Sequence, residues 1–374
     1  MIRMKLIYIV DARIPTERAH GMQVMKMCEA FSKQGFIVEL VIPARQNTIS
    51  ADPFDYYQIG HKFRIRKLFC LDLTRFGWSF FFVLQNLTFV LASIIFLMFQ
   101  KNGSVLYTRG NTVLFWPKFL TDKFLLFIET HFMWPKNIRL YMKSFSKARG
   151  VIAVTKAYKT YLQQKYNVPE NKIIWAPDGV DLEKFQIPND KLQIRERLKL
   201  PRDKKIIVYT GSDLAWRGVE TLKDAVVFFP KEYRAYFVGT VTPIEDYRAV
   251  FTGHKYPKEI PLWLRAADVL VLCGTAKSEI SLHYVSPLKL FEYLAAGRPI
   301  VATDTPSHRE ILNDKNAILV KPDDPEALAN AIKTVLADEG LAGKLGQNAA
   351  LEANMYSWDN RVRRISDFIK SRIQ

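Results

Sequence analysis

Apolar positions along this chain follow two alternating periods. Short, nearly continuous runs of Ile, Val, Leu and aromatic residues recur at residues 5–10, 37–42, 105–107, 124–128, 151–154 and 173–176, and again at 205–209, 235–238, 269–273, 299–302 and 318–320. Strands buried on both faces of a parallel sheet read this way. Between them lie stretches with helical spacing, at residues 23–34 (ended by Gly35), 220–229, 260–267 and 287–296. Another helix opens at Asp324-Pro325-Glu326 and runs to about residue 336, and a last one covers 358–373. Strand, helix, strand in repetition predicts parallel sheets with helical crossovers. A polar stretch at 181–202, holding Pro188 and Pro201, interrupts the pattern. The expected layout is an α/β protein of two Rossmann-like, doubly wound domains. They span residues 1–183 and 205–354, with a linker at 184–204 and a closing helix at 355–374.

Residues 80–99 break the rhythm, being twenty positions without a charge. As a helix they would be about 30 Å long, enough for a bilayer. Gln85, Asn86, Thr88 and Ser93 argue against a span, and the segment sits where a crossover helix is needed. A buried crossover is the first expectation. A helix lying in the membrane interface and a true span stay open.

Composition narrows the partners. The chain has 374 residues and a net charge of +17, from 54 basic and 37 acidic residues. That favours anionic partners: phosphorylated substrates, nucleic acid or an anionic membrane. Cys28, Cys70 and Cys273 show no metal spacing and no disulfide framework, which fits a reducing, cytoplasmic setting. The chain opens with a strand, so no signal peptide is expected.

The run S-P-L-K-L-F-E-Y-L-A-A-G, Ser286 to Gly297, reads as a helix start built for an anion. Ser286 is the expected cap, Pro287 the first helical residue and Gly297 the stop. The first turn of a helix carries unpaired N–H groups and partial positive charge, so Lys289 there is best explained by a phosphate. Glu292, one turn on, can face the same pocket and accept from sugar hydroxyls. A capped helix with a Lys–Glu pair is the plain alternative. The loop G-S-D-L-A-W-R-G, Gly211 to Gly218, follows a strand and supplies Arg217, a forked phosphate donor, although a solvated loop arginine would read the same. His20-Gly21 occupies the matching place in the first half. Neither a Walker loop nor a G-x-G-x-x-G fingerprint is present, which argues against a dinucleotide cofactor.

With these residues in place, the chain resembles the GT-B glycosyltransferases, specifically the retaining glycosyltransferase family 4. The strings that carry the resemblance are Y-T-G-S-D-L-A-W-R-G-V-E-T-L, A-D-V-L-V-L, S-P-L-K-L-F-E-Y-L-A-A-G-R-P-I-V-A-T-D, S-H-R-E-I-L, P-T-E-R-A-H-G, E-T-H and P-D-G-V-D-L-E-K-F. The resemblance implies two domains facing across a cleft, with the closing helix crossing back to the first. It implies a diphosphate site of Gly21, Gly211, Arg217, Ser286, Pro287, Lys289 and Leu290. Glu292 would bind the ribose. Gly253, His254 and Tyr256 would meet the base, and His131 would serve the donor sugar. His131 as a structural residue is the alternative.

One departure stands out: Tyr284 occupies the place of the family's first Glu in E-x7-E, and Glu279 is a possible substitute. The implied reaction moves a sugar from a UDP- or GDP-linked donor to a glycan or lipid-linked hydroxyl, with retention and catalysis by His131, Arg217 and Lys289. No cofactor is expected, and no metal, since the chain has no D-x-D. The basic surface and residues 80–99 point to peripheral contact with an anionic membrane. Rival readings are a silent GT-B scaffold in a membrane assembly, a GT-B sugar-nucleotide epimerase and a nucleic-acid binder. The last is disfavoured because no nucleic-acid motif is present.

Overall fold

A computed structural model describes residues 4–72, 79–110, 112–131, 138–187 and 190–373. They form two compact units, one of Met1–Pro177 with Trp358–Gln374 and one of Asp178–Ser357.

Unit 1 is built on seven parallel strands: β1 (Lys5–Val10), β2 (Ile37–Pro43), β3 (Arg64–Leu68), β4 (Val105–Arg109), β5 (Leu125–Thr130), β6 (Gly150–Ala153) and β7 (Ile173–Trp175). Their order is β3-β2-β1-β4-β5-β6-β7. The order reverses between β1 and β4, so the ligand-binding crevice of this sheet lies at their C-terminal ends. Register there places Val10 beside Arg109 and Arg109 beside Glu129. The sequence pattern misses β3, R-I-R-K-L, because it is a half-exposed edge strand. Its Arg66 donates to Glu39 of β2 at 2.6 Å, and Lys5 pairs with the same carboxylate at 2.8 Å. Charged edge strands also resist pairing with other chains.

The helix Ser79–Met98 is the crossover from β3 to β4. The expectation of a buried helix needs correction, because only its inner stripe is covered. Gln85, Phe89, Ser93 and Leu97 are fully buried, while Phe82, Val83, Leu87, Leu91, Ile95 and Met98 are 51–61% exposed. Its polar residues therefore face inward. Ser93 accepts from Trp116 Nε1 at 2.9 Å and donates to Val90 O at 2.7 Å. The solvent side is the apolar one.

Unit 2 carries β8 (Lys205–Thr210), β9 (Tyr233–Val238), β10 (Ala249–Gly253), β11 (Val269–Leu272), β12 (Ile300–Thr303) and β13 (Ile318–Val320), all parallel, in the order β10-β9-β8-β11-β12-β13. Here the reversal falls between β8 and β11. The expected linker at 184–204 is corrected as well. Its described part belongs to unit 2, whereas Pro188 lies outside the described residues. The helix Lys191–Arg197, capped by Asp190, is fastened to Asp268 by Arg195 at 2.6 Å and Lys191 at 2.7 Å. Arg195 Nε also reaches Ala266 O at 3.0 Å. Two of the stretch's charges, Lys191 and Arg195, are thus spent on one largely covered aspartate.

The closing helix Trp358–Ser371 clusters with unit 1. Phe368 packs on Phe127 and fills the space a side chain at Gly150 would need. Arg361, almost wholly buried, donates to Pro177 O at 2.8 Å, Ala176 O at 3.2 Å and Glu129 Oε2 at 3.2 Å. Burial by itself would raise the Glu129 carboxyl, but Arg361 and His131 override it and hold it well below the usual carboxylate range. The group stabilises the fold at neutral pH, and that contribution is lost as pH falls through the depressed value. Replacing Arg361 by Met should strand the carboxylate and cost about 3–5 kcal/mol. The check is a lowered urea midpoint for unit 1, with substantial recovery when Glu129→Gln is added.

Candidate active site

The site of unit 2 is assembled by close backbone contacts at the ends of β8, β9 and β11. Gly211, the first residue beyond β8, has φ +139°, and Gly239, just beyond β9, has the same value. A Cβ on Gly239 would fall on the Gly211 carbonyl, so these loops touch without intervening side chains. Gly211 N–H donates to Val238 O at 2.9 Å, and Asp213 N–H to Thr240 O at 3.1 Å. Asp213 accepts in turn from Thr242 N–H at 2.8 Å. The turn Ala215–Arg217 then ends at Gly218, with φ +67°. A Cβ there would lie 2.6 Å from the Gly274 carbonyl carbon, so Gly218 seats the turn against the exit of β11.

Arg217 is thereby folded back over Gly211. From the other side comes Lys289, in the first turn of the helix Leu288–Ala296. A Cβ on Gly211 would sit 3.2 Å from Arg217 Nη1, 3.3 Å from Lys289 Nζ and 3.2 Å from Tyr209 Oη. Two cations thus surround one bare Cα. Lys289 donates to Thr210 O at 3.2 Å and rests 4.0 Å from the centroid of the Tyr209 ring. Arg217 stacks on Trp216, and no described carboxylate pairs with it. Tyr293 holds the helix in place, accepting from Thr210 N–H at 2.8 Å. Desolvation first, and the Arg217 charge second, push Lys289 down to about 7, with Cys273 and Glu292 acting in the opposite sense. Two like charges held together in a desolvated place can be offset by a multiply charged anion.

Glu292 lies one turn along the same helix. It accepts no hydrogen bond from any described residue, and burial raises its carboxyl against the pull of Lys184 and Lys289. Its oxygens are available to hydroxyl donors. Gly253 has φ +68° and accepts from Gly239 N–H at 3.0 Å, which brings the 253–256 loop beside the Gly211 loop. His254 is exposed, Tyr256 is 55% exposed, and their rings meet edge-on at 6.2 Å.

Three expectations for the helix start change. Pro287, not Ser286, takes the capping position, in extended geometry. Ser286 Oγ instead accepts from Asp178 N–H at 3.1 Å, which ties the loop to the first residue of the unit. Leu290 is a core residue whose N–H is already bonded to Pro287 O at 3.0 Å, so it offers nothing to a ligand. Tyr284 closes a π-helical turn, Ile280–Tyr284, that packs on the Ala215–Arg217 turn, and Glu279 caps it with an exposed side chain. Sequence reasoning missed Gly239, Tyr209, Tyr293 and His308. His308 is buried in the quoted S-H-R-E-I-L string, held down to about 4 by that burial, with Nδ1 2.8 Å from Thr303 O.

In unit 1, His131 follows β5 and is partly exposed. Its Nε2 lies 3.1 Å from Glu129 Oε1. Gly21 is buried in the helix Ala19–Lys33, and a Cβ there would collide with Tyr57 Oη and Thr16 Cγ2. Packing inside unit 1 is thus what demands glycine at this position. Among the described residues no group of three or more His, Cys, Asp or Glu side chains is placed to hold a metal ion.

Two doubly wound parallel-sheet units, with two cations paired at a switch point, define a GT-B protein. Its fold matches the crystal structure of Anabaena Alr3699/HepE in complex with UDP and glucose at a TM-score of 0.76 and 16% identity, covering 99% of this chain and all of that one. The description Glycosyltransferase Family 4 matches residues 21–184, the description Glycosyl transferases group 1 matches residues 204–338, and the chain belongs to this glycosyltransferase family. It is 28% identical over 241 residues to a D-inositol 3-phosphate glycosyltransferase of Xylanimonas cellulosilytica, covering 58% of this chain and 56% of the relative. It is also 28% identical over 197 residues to the putative teichuronic acid biosynthesis glycosyltransferase TuaC of Bacillus subtilis, covering 51% and 48%. The chain thus spans about half the length of these curated relatives.

The depressed Lys289 ammonium has a consequence for anion binding. A bound diphosphate favours the charged form, so binding takes up a proton once the pH exceeds about 7. Pyrophosphate affinity should fall as pH rises from about 7 to 9. Below about 7 Lys289 is already protonated and adds no further dependence. Calorimetry in HEPES and Tris, whose ionisation enthalpies differ, should reveal the uptake. Lys289→Arg should abolish it.

Proposed function

We propose that the chain transfers a sugar from a nucleoside diphosphate donor to an acceptor hydroxyl, with retention at the anomeric carbon and without a metal. The observation that carries this reading is the pair of cations at 3.2 and 3.3 Å from one point beside Gly211, with no carboxylate between them. As the glycosidic bond breaks, charge accumulates on the leaving diphosphate. Arg217, Lys289 and the unpaired N–H groups at the start of the helix Leu288–Ala296 stabilise that charge more than the ground state. Because they are held by the fold before the donor arrives, little reorganisation is required. Glu292 takes the ribose hydroxyls and the 253–256 loop takes a uracil or guanine base. His131 is the residue of unit 1 assigned to the reacting sugar. Retention is proposed from the resemblance to the retaining glycosyltransferase family 4, and not from the geometry.

The acceptor in this reading is a cell-envelope or other lipid-linked glycan, approached from a membrane surface. The window Phe81–Met98 has a mean hydropathy of 2.2, and 28% of it is buried. The helix turns apolar side chains outward, and beside it lie Phe99, Phe115 and Phe119, all 59–83% exposed. Basic residues fringe the patch: Lys123 caps the helix carbonyls of Leu97 and Met98, Arg66 stacks on Phe96, and Lys101 and Lys118 are near in sequence. An apolar stripe with a basic fringe fits an interfacial helix on an anionic leaflet.

Two measurements test these readings. Lys289→Ala and Arg217→Ala should each reduce turnover of a UDP- or GDP-linked sugar about 10²–10³-fold while leaving thermal stability near wild type. Near wild-type rates in both would sink the site assignment. The triple change Leu87→Glu, Leu91→Glu and Ile95→Glu should release the protein from vesicles containing phosphatidylglycerol in a flotation assay. Unchanged flotation would exclude this face as the membrane contact.

A further inference from the structure

Arg109 closes β4 at the strand-order reversal of unit 1, in one row with Val10 and Glu129. A guanidinium and a carboxylate on adjacent strands ordinarily pair. Here they do not, because Glu129 is already saturated. Oε1 is engaged by Gln23 Nε2 and His131 Nε2, and Oε2 by Tyr107 Oη at 2.5 Å and Arg361 at 3.2 Å. A carboxylate offers about four lone-pair sites, and the unit's own residues occupy them.

Arg109 therefore has neither a hydrogen bond nor an ion pair among the described residues, and its Nε is buried without a partner. Tyr8 Oη, on the same face of the sheet one row back, is also buried and unpartnered. Buried donors left unmade are costly, so a guanidinium and a hydroxyl left so on one face of the sheet call for a partner. The surroundings are cationic. The helix Ala19–Lys33 begins next to Arg18, with no side-chain cap and no acid in its first turn. Arg45 and Arg13 are consumed by Asp11 and Glu17. Arg18 has no carboxylate among its described partners. Burial first, then Arg109 and Arg18, hold His20 down to about 4, so it is neutral at pH 7, and an anion bound beside it would favour its protonation.

We propose that unit 1 recognises a phosphate group on the acceptor, gripped by the Arg109 guanidinium at the end of β4. The word acceptor rests on the glycosyl-transfer reading above; the anion site itself stands on the saturation of Glu129. The same geometry would suit a phosphate from the donor, so the test separates the two sources.

The full chain is used, in a Lys289→Ala/Arg217→Ala background that removes the unit 2 cations, with inorganic phosphate as the probe. Phosphate should still raise the melting temperature there, and adding Arg109→Gln should weaken phosphate about tenfold or more. Arg109→Lys should restore part of it. Because Arg109 makes no hydrogen bond or ion pair among the described residues and acts on Glu129 only through its charge, Arg109→Gln should lower the melting temperature without phosphate only slightly. In the second arm, UDP and GDP are titrated into otherwise wild-type protein with and without Arg109→Gln, and affinity should stay within about twofold. No phosphate effect in the double variant, or one that survives Arg109→Gln, overturns the site. A large loss of nucleotide affinity in Arg109→Gln assigns the grip to the donor and overturns the acceptor phosphate. Failure of wild-type protein to bind either nucleotide would sink the transfer reading, and the phosphate arm would still be readable.

Discussion

Two like charges forced together organise unit 2. Arg217 and Lys289 converge on Gly211 although they repel each other, and burial first and the Arg217 charge second depress the Lys289 ammonium. Such a pair survives only if the surrounding structure leaves it no alternative. Gly218 presses the Arg217 turn onto Gly274, Tyr293 clamps the Lys289 helix to Thr210, and Gly239 lets the β9 exit lie against the Gly211 carbonyl. Each constraint is a backbone contact or a buried hydrogen bond, not a flexible surface pairing. The cations therefore wait in place for an anion.

Unit 1 solves a related problem differently. Its buried carboxylate Glu129 gathers Gln23, Tyr107, His131 and Arg361, and so joins the first helix, two strands and the closing helix in one network. The network orients His131 and gives the closing helix a charged anchor to add to the packing of Phe368. It also leaves Arg109, at the C-terminal end of the central strand of the same sheet, without a hydrogen bond or ion pair among the described residues. In both units the uncompensated cation stands where the strand order reverses, beside a helix whose first turn has no acid. That is where backbone geometry opens a crevice and helix N–H groups are unpaired.

Much of this was readable in advance. The central strands are continuous apolar runs, because burial on both faces permits nothing else. Two of the four edge strands, Arg64–Leu68 and Ala249–Gly253, escaped notice because one side of each is open and their residues need not all be apolar. Lys289 and Arg217 stood out as cations in a helix start and a glycine loop. Leu290 looked like a site residue by adjacency in the motif, but it faces the core. Ser286 looked like a cap by residue type, yet Pro287 took that place and left the Ser286 hydroxyl to Asp178.

The sequence by itself determined the alternation of strand and helix, the division into two α/β halves, and the residue types able to hold phosphate. These depend on local periodicity, backbone preference and charge, all of which act over a few positions. Only the tertiary structure decided which groups are satisfied. Residues 191–197 became a packed helix because Asp268, far along the chain, draws in their charges. The helix at 79–98 turned its polar residues inward because Trp116 supplied a donor there and no described element covers its other face. Arg109 has no hydrogen bond or ion pair among the described residues because four groups from distant segments reached Glu129 first. Competition for a hydrogen-bonding site is settled among residues scores of positions apart, and no local pattern carries that information.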